Sequence, residues 1–517
     1  MDETITWAYT LADILTKKYG NNIICASGIS PSGIIHIGNL REVMTTDFVY
    51  KALQHINSSP RFIFSWDDFD RLRKIPAGFP SELKNDIGKP YADIKDPFGE
   101  CSSYASRFEN QFEHSLKMLD ITPTFIKQSE MYRSGVYDSQ IRFVLQNREK
   151  IAKILARNMT QGMSDKEIER YFPVAVYSRF TGKDNTQVLS FDGENTLTYI
   201  CNDTNKKDSI DFTKERIVKL PWKIDWPMRW KHEDVMFEPG GPDHASPGSS
   251  YDVSSQIAKE IFAINPPAFQ AYAFIRIKGQ NAKMSSSSGN VITPEELLKV
   301  YSKEIIRWIY ARASPTAQLD IALDADVIRT YAEFDKFLSD SNEQLLSLIS
   351  KNSSELRAEI QAPFRKVFGL GEATAYNLDL VRIIMREDGE SVSELSIEDR
   401  LHKSDYWSKT YSPELRSKLL NSPNTAFYQQ LSDLDKEHIT KLKNLLSSKN
   451  TLSRETIELQ VYAIPKTEVM TDIEKKNAQK KFFQNVYMLW FNEQRGPRLP
   501  TYIWATNSIT KLKELLL

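Results

Sequence analysis

The sequence predicts an α/β fold that opens as a doubly wound parallel sheet and ends in a mostly α-helical region. Three observations carry this. A strand, a glycine-rich loop, a helix and a second strand follow one another within residues 22–70. The polar residues able to do chemistry stand at the carboxyl ends of those strands, where such sheets bind ligands. From about residue 340 onward the apolar spacing is mostly helical, with Ile439, Leu442, Leu445 and Leu446 on one face.

Taken in order, residues 22–27 form a short apolar run, the expected first strand. Residues 28–38 hold Gly28, Gly33, Gly38 and Pro31, and then Leu40, Val43, Met44 and Phe48 recur at helical spacing. Residues 61–66 are the expected second strand, ending in Asp67, Asp68 and Asp70. The stretch 75–110 is rich in Pro, Gly and Lys and reads as loop or the start of an insertion. Helical patterns follow near 104–120 and 137–160, and alternating runs within 172–215 predict a small β-rich insert. Trp222, Trp226 and Trp230 recur every four residues, a helical stripe with two of the three expected in the core. Residues 237–248 read as a glycine and proline loop holding Asp243 and His244. Residues 273–277 are a further expected strand leading into the serine loop 283–289.

The bulk properties bound the function. A chain of 517 residues suggests about three or four domains. With 41% hydrophobic and 26% charged residues, it can bury several cores without staples. The net charge of −1 means that any nucleic-acid surface must be a local patch. Cys25, Cys101 and Cys201 form no CxxC pair, which argues against a zinc ribbon or disulfide scaffold and suits a reducing cytoplasm. Neither a signal peptide nor an apolar run of the roughly 20 residues needed to span a bilayer is present, so a cytoplasmic protein with no membrane partner is expected.

Two motifs carry chemistry. The first is Pro31-Ser32-Gly33-Ile34-Ile35-His36-Ile37-Gly38-Asn39, between strand and helix. Glycines let backbone approach a phosphate, and a helix N-terminus presents free N–H groups. An imidazole and an amide there can donate to phosphate oxygens as charge grows; the alternative is a structural turn with a packed histidine. The second is Lys283-Met284-Ser285-Ser286-Ser287-Ser288-Gly289-Asn290, whose lysine and small hydroxyls can close over a triphosphate, or which is simply a serine linker.

In this order, and 247 residues apart, these motifs resemble the HIGH-type and KMSKS-type signatures of the class I aminoacyl-tRNA synthetases. The segment Ala26-Ser27-Gly28-Ile29-Ser30-Pro31-Ser32-Gly33, the tryptophan-rich stretch 220–230, the 237–244 stretch and Gln494-Arg495-Gly496-Pro497-Arg498-Leu499 are similar to those of the class I lysyl-tRNA synthetases in particular. The resemblance implies that His36, Asn39 and Lys283 are catalytic. It implies that Pro31, Gly33, Gly38, Asp243, Ser285, Ser286 and Ser287 join them in holding ATP, with Mg²⁺ assisting. Lysine would sit among Gly28, Ser30, Trp222, His244 and Tyr272. A buried ammonium also needs a carboxylate, for which Asp67, Asp68 and Asp70 stand at the right strand end; the alternative is an acidic turn that is solvated or paired with Arg71 or Arg73. Arg495 and Arg498, in a basic and aromatic stretch, are the expected tRNA contacts, with aromatics such as Phe482, Tyr487 and Trp490 able to stack on unpaired bases or, alternatively, to pack an amphipathic helix. Three departures matter: Ser286 replaces the usual second lysine of the serine loop, Pro242 replaces a lysine before Asp243, and only Cys201 remains where the family commonly pairs zinc cysteines. No metal ligand and no structural zinc are expected.

The resulting expectation is a Rossmann-type catalytic domain in two halves, 1–95 and 216–290, interrupted by an insertion at 96–215. A helical connection follows at 291–340 and an α-helical anticodon-binding domain at 341–517. The implied activity joins lysine to ATP and passes it to the terminal 2′-OH of a lysine tRNA, with L-lysine, ATP and tRNA as partners and a monomer as the working state. Another class I synthetase, a noncatalytic tRNA-binding relative and a small-molecule adenylyltransferase are the alternatives.

Overall fold

Residues 24–29 are almost continuously apolar, which is what a strand covered on both faces requires, and they form the central strand of the molecule's main sheet, β1 (Ile24–Ile29). The computed structural model describes residues 6–56, 58–279, 291–339 and 342–517. β2 (Arg61–Trp66) and β3 (Thr124–Lys127) lie to one side of β1, and β4 (Phe237–Gly240) and β5 (Ala268–Ala271) to the other. Every pairing is parallel, with Cys25 opposite both Phe62 and Phe237. The spatial order β5–β4–β1–β2–β3 reverses its direction of winding at β1, so the switch point lies between β1 and β4. The Ile37–His55 helix that follows β1 is buried around most of its circumference, through Leu40, Val43, Met44 and Phe48 among others.

Two expectations are corrected. Residues 237–240, read as the start of a loop, are β4, because Phe237 and its neighbours are buried within the sheet. The strand expected at 273–277 is Ile275–Ile277, and it pairs in parallel with Leu319–Ile321, outside the five-stranded sheet.

Helix Tyr104–Met118 connects β2 to β3; after β3 come helices Asp138–Gln146 and Arg148–Arg157, then an antiparallel sheet of Thr186–Phe191, Thr196–Cys201 and Lys206–Asp211. Leu197, Tyr199 and Cys201 point from its middle strand into a core shared with Tyr132, Tyr137 and Val144. These segments belong to one compact unit, Met1–Leu298, Lys303–Ile321 and Asn342–Ser353.

The second unit comprises Lys299–Ser302, Ala322–Ser341 and Ser354–Leu517, and its described residues contain no strand. Ile439, Leu442, Leu445 and Leu446 are buried together, as their spacing predicts, against Val486, Leu489 and Trp490. Here the aromatics go to the core. Phe482, Tyr487 and Trp490 lie on the buried face of the Asp472–Phe491 helix, so they are not presented for stacking on bases.

Candidate active site

A cavity of about 780 Å³ opens at the carboxyl ends of β1, β2 and β4, the place a doubly wound sheet reserves for ligands. β1 contributes Gly28 and the residue after it Ser30, the residues after β2 contribute Asp67 and Asp70, and β4 with its following turn contributes Gly240 and His244. Gly28 has a steric reason: a Cβ there would lie 2.9 Å from the backbone oxygen of Ser65 on β2.

His36 and Asn39 sit at the N-terminus of the Ile37–His55 helix and hold one another through a capping box. Gly38 N–H donates to His36 Nδ1 at 3.0 Å, and His36 N–H donates to Asn39 Oδ1 at 3.1 Å. The chemical consequence is specific. An Nδ1 that accepts leaves the neutral ring its proton on Nε2, and an Asn whose oxygen is used presents its NH₂. Both cavity-lining side chains are thereby oriented as donors, which is what a polyphosphate at a helix N-terminus demands. Gly38 is essential to this arrangement, because a Cβ there would stand 2.7 Å from His36 Cε1. Gly38→Ala is therefore expected to displace the imidazole and cost about 1–3 kcal/mol of stability. Paired thermal melts and activity assays check it, and a variant with unchanged melting and activity would contradict this packing.

The far wall is the Trp222–Glu233 helix. Its three tryptophans pack in succession, Trp222 stacked on Trp226 at 4.7 Å and Trp226 tilted against Trp230 at 4.9 Å. Trp226 and Trp230 are almost fully buried, as the core reading of two tryptophans holds, yet Trp226 lines the cavity beside Trp222. The Trp222 Nε1 and His244 Nδ1 atoms are buried without a hydrogen-bond partner among the described residues and belong to cavity-lining residues. Burial keeps the His244 imidazole below its usual pKa.

Below the tryptophans runs a buried ionic chain. Arg229 Nη1 lies 2.8 Å from Asp67 and Nη2 3.2 Å from Asp225. Lys219 Nζ lies 3.2 Å from Asp225 and 2.8 Å from Asp70, and Tyr132 donates to Asp225. The Arg229 guanidinium also covers the Trp222 ring, at 5.0 Å. Burial pushes the Asp67 carboxyl up to about 6 against the pull of Arg229. Asp67 thus lines the cavity but is already answered by a cation. Asp68 is taken out of it altogether, since both its oxygens accept from Ser129, from the backbone N–H and from Oγ.

Two carboxylates that sequence reasoning missed are not so answered. Glu42, one turn beyond Asn39, accepts from Gly28 N–H at 3.0 Å and from Tyr272 Oη at 2.9 Å. Burial, reinforced by Glu238 and Asp67, pushes its carboxyl up to about 8. Glu238, on β4, accepts from the Trp226 and Trp230 indoles at 2.9 and 2.7 Å, and burial pushes it up to about 7. Both line the cavity. The tryptophan ladder could have pointed to Glu238, because buried indole N–H groups need an acceptor; for Glu42 the local sequence carries no signal.

Of the remaining predicted residues, Ser30 and Tyr272 line the cavity, whereas Pro31 and Gly33 are buried within the loop behind it. Asp243 is exposed on the short Pro242–Ala245 helix after β4. Lys283, Ser285, Ser286 and Ser287 lie outside the described residues. In the helical unit Arg495 is exposed, and Arg498 pairs with Glu458 at 2.6 Å.

Fold and site together define a doubly wound α/β protein with a donor-rich helix N-terminus and a cavity walled by buried carboxyl groups at its switch point. The family model described as tRNA synthetases class I (K) matches residues 5–361. A lysine–tRNA ligase of Borreliella burgdorferi is 32% identical across 97% of this chain and 97% of its own length. A lysine–tRNA ligase of Thermococcus kodakarensis is 32% identical across 99% of each chain. The crystal structure of a glutamate tRNA ligase from Elizabethkingia meningosepticum covers 96% of this chain and 99% of its own, at 12% identity and a TM-score of 0.47. The chain belongs to the class I tRNA synthetase family, in the branch that carries the K designation.

Proposed function

We propose that this chain is a lysine–tRNA ligase of the class I type. The observation that carries the substrate is the pair Glu42 and Glu238: two carboxylates in the cavity wall with no ion pair to a cation among the described residues. Lysine brings two ammonium groups, and a buried carboxylate is stabilised by such a partner far more than by neutral donors. An acidic amino acid would add a further negative charge to the same wall.

In the first step a lysine carboxylate oxygen attacks the α-phosphorus of ATP, the bond to the β-phosphate bridge breaks, and lysyl-adenylate and pyrophosphate form. His36 Nε2–H and the Asn39 amide donate to phosphate oxygens, and Lys283 neutralises the departing pyrophosphate. In the second step the terminal 2′-OH of the tRNA attacks the adenylate carbonyl carbon and AMP leaves. Positioning and charge stabilisation supply the acceleration, without a covalent enzyme intermediate. Mg²⁺ carried on the ATP phosphates would neutralise their charge. Such ions keep much of their water and bind through substrate phosphates rather than protein cages. The enzyme works in the cytoplasm as a monomer, and the helical unit receives the anticodon end through Arg495 and Arg498; no described helix is long and apolar enough to cross a membrane.

ATP–pyrophosphate exchange tests the proposal, run with and without lysine tRNA and with other amino acids as controls. Exchange with lysine alone is expected. Exchange driven by another amino acid would overturn the substrate, and none under any condition from folded protein would overturn the activity.

A further inference from the structure

One flank of the cavity is used neither by the nucleotide nor by the amino acid in the reaction above. Beyond β2 the chain runs outward through residues 70–76 and returns through 88–91, and Asp70, Arg73, Lys74 and Tyr91 from this excursion line the cavity. Its two limbs are zipped by backbone bonds: Leu72 N–H to the Lys89 oxygen, Gly88 N–H to the Leu72 oxygen and Tyr91 N–H to the Asp70 oxygen, each 2.9 Å. They are also bolted to the chain between β3 and β4. Arg71 pairs with Asp184 at 2.8 Å, Lys219 pairs with Asp70 at 2.8 Å, and Asp184 N–H donates to the Gly88 oxygen at 2.9 Å.

On this pinned backbone the charges are treated unequally. Asp70 and Arg71 are each answered by an ion pair. Arg73 and Lys74 are exposed and make no hydrogen bond or ion pair among the described residues, although both face the cavity. Two adjacent cations at the rim of a concave, low-dielectric wall focus a positive potential there, and their ligand must be an anion. Lysine is not one. ATP is expected at the other flank, because β2 and β4 lie on opposite sides of β1 and the nucleotide residues His36, Asn39 and Asp243 follow β1 and β4. The transfer step requires a second polyanion in the same cavity, since the terminal ribose must reach the adenylate and brings its unpaired phosphates with it.

We propose that Arg73 and Lys74 are the phosphate contacts for the single-stranded 3′ end of the tRNA, holding it against this rim so that its last ribose enters the cavity. This rests on the tRNA-ligase reading. A fixed backbone suits the task, because phosphate contacts set register and orientation rather than sequence.

The test is equilibrium binding of the full chain to lysine tRNA and to the same tRNA lacking its unpaired 3′ nucleotides, across a salt series, with ATP binding measured in parallel. Wild type is expected to prefer the intact tRNA. The double variant R73A/K74A is expected to lose about tenfold or more in affinity for intact tRNA and to bind the shortened tRNA and ATP as wild type does. Its salt slope on intact tRNA should fall by about 0.7 for each phosphate contact removed. R73K/K74R, which keeps both charges, should retain most of the binding. Unchanged affinity for intact tRNA, or an equal loss on both RNAs, overturns the assignment; weakened ATP binding with the preference for intact tRNA retained gives the two cations to the triphosphate instead. Wild-type protein that binds lysine and ATP but no tRNA defeats the tRNA-ligase reading itself, an outcome separable from the others before any variant is made.

Discussion

Replacing His36 with alanine is expected to slow lysine-dependent ATP–pyrophosphate exchange by about 100- to 1,000-fold, the usual cost of removing one donor aimed at developing oxyanion charge. His36 also caps a helix, so alanine is expected to cost about 1 kcal/mol of stability as well. His36→Asp separates the two roles. Aspartate caps a helix well but has no N–H to donate, so exchange should fall at least on the same scale while the melting temperature holds. Because Asn39 Oδ1 accepts from the His36 backbone N–H, the two residues act as one unit. The loss in a His36→Ala/Asn39→Ala double variant should then be well short of the product of the single losses. Lys283→Ala is expected to lose rate on the same scale. Near-normal exchange in both His36 variants would sink the assignment of this helix N-terminus to phosphate.

His36 and Asn39 were legible in the sequence because their geometry is local: a glycine-rich loop, a cap and a helix within one short stretch. The first two strands were legible for the same reason, as short apolar runs bounded by turn residues. What the sequence hid is what distant chain segments decide. Asp67 reads as an available carboxylate until Arg229, 162 residues away, answers it. Asp68 reads the same way until Ser129 takes both its oxygens. Glu42 reads as one more polar residue of a helix until Tyr272, 230 residues later, closes over it. β4 was taken for loop because its Pro and Gly are turn residues by composition, while its burial comes from β1 and β5 on either side. The basic and aromatic stretch near 480 shows the converse: composition invited base stacking, and the demand of the helical core for Phe482 and Trp490 decided otherwise.

Glu42→Gln is expected to raise the KM for lysine by about ten- to a hundredfold, the worth of one charge-assisted hydrogen bond, with little change in the KM for ATP. The pH dependence gives the sharper readout. In the empty cavity burial holds the Glu42 carboxyl up at about 8 and Glu238 up at about 7, while Gly28 N–H and Tyr272 pull Glu42 the other way. Each carboxyl is therefore protonated below its own value. An arriving ammonium favours the ionised form, so lysine binding expels the proton. Apparent lysine affinity should rise about tenfold per pH unit between 7 and 8, more steeply below 7 where both groups give up a proton, and level off above 8. The linkage to stability has the opposite sign for the empty protein. Its Glu42 lies above the usual 4.5, so the folded chain holds a proton that the unfolded chain has lost, and this contribution to stability fades as pH rises from about 4.5 to 8. Lysine should consequently raise the melting temperature more at pH 8 than at pH 6. Titration calorimetry from pH 6 to 9 counts the protons directly. In Glu42→Gln the upper step should vanish and only the Glu238 step near 7 remain, because glutamine can still accept from Tyr272 or Gly28 but has no proton to release. A wild-type affinity that is flat from pH 6 to 8 would remove both glutamates from the ammonium sites, and a glutamine variant that keeps the upper step would remove Glu42 alone.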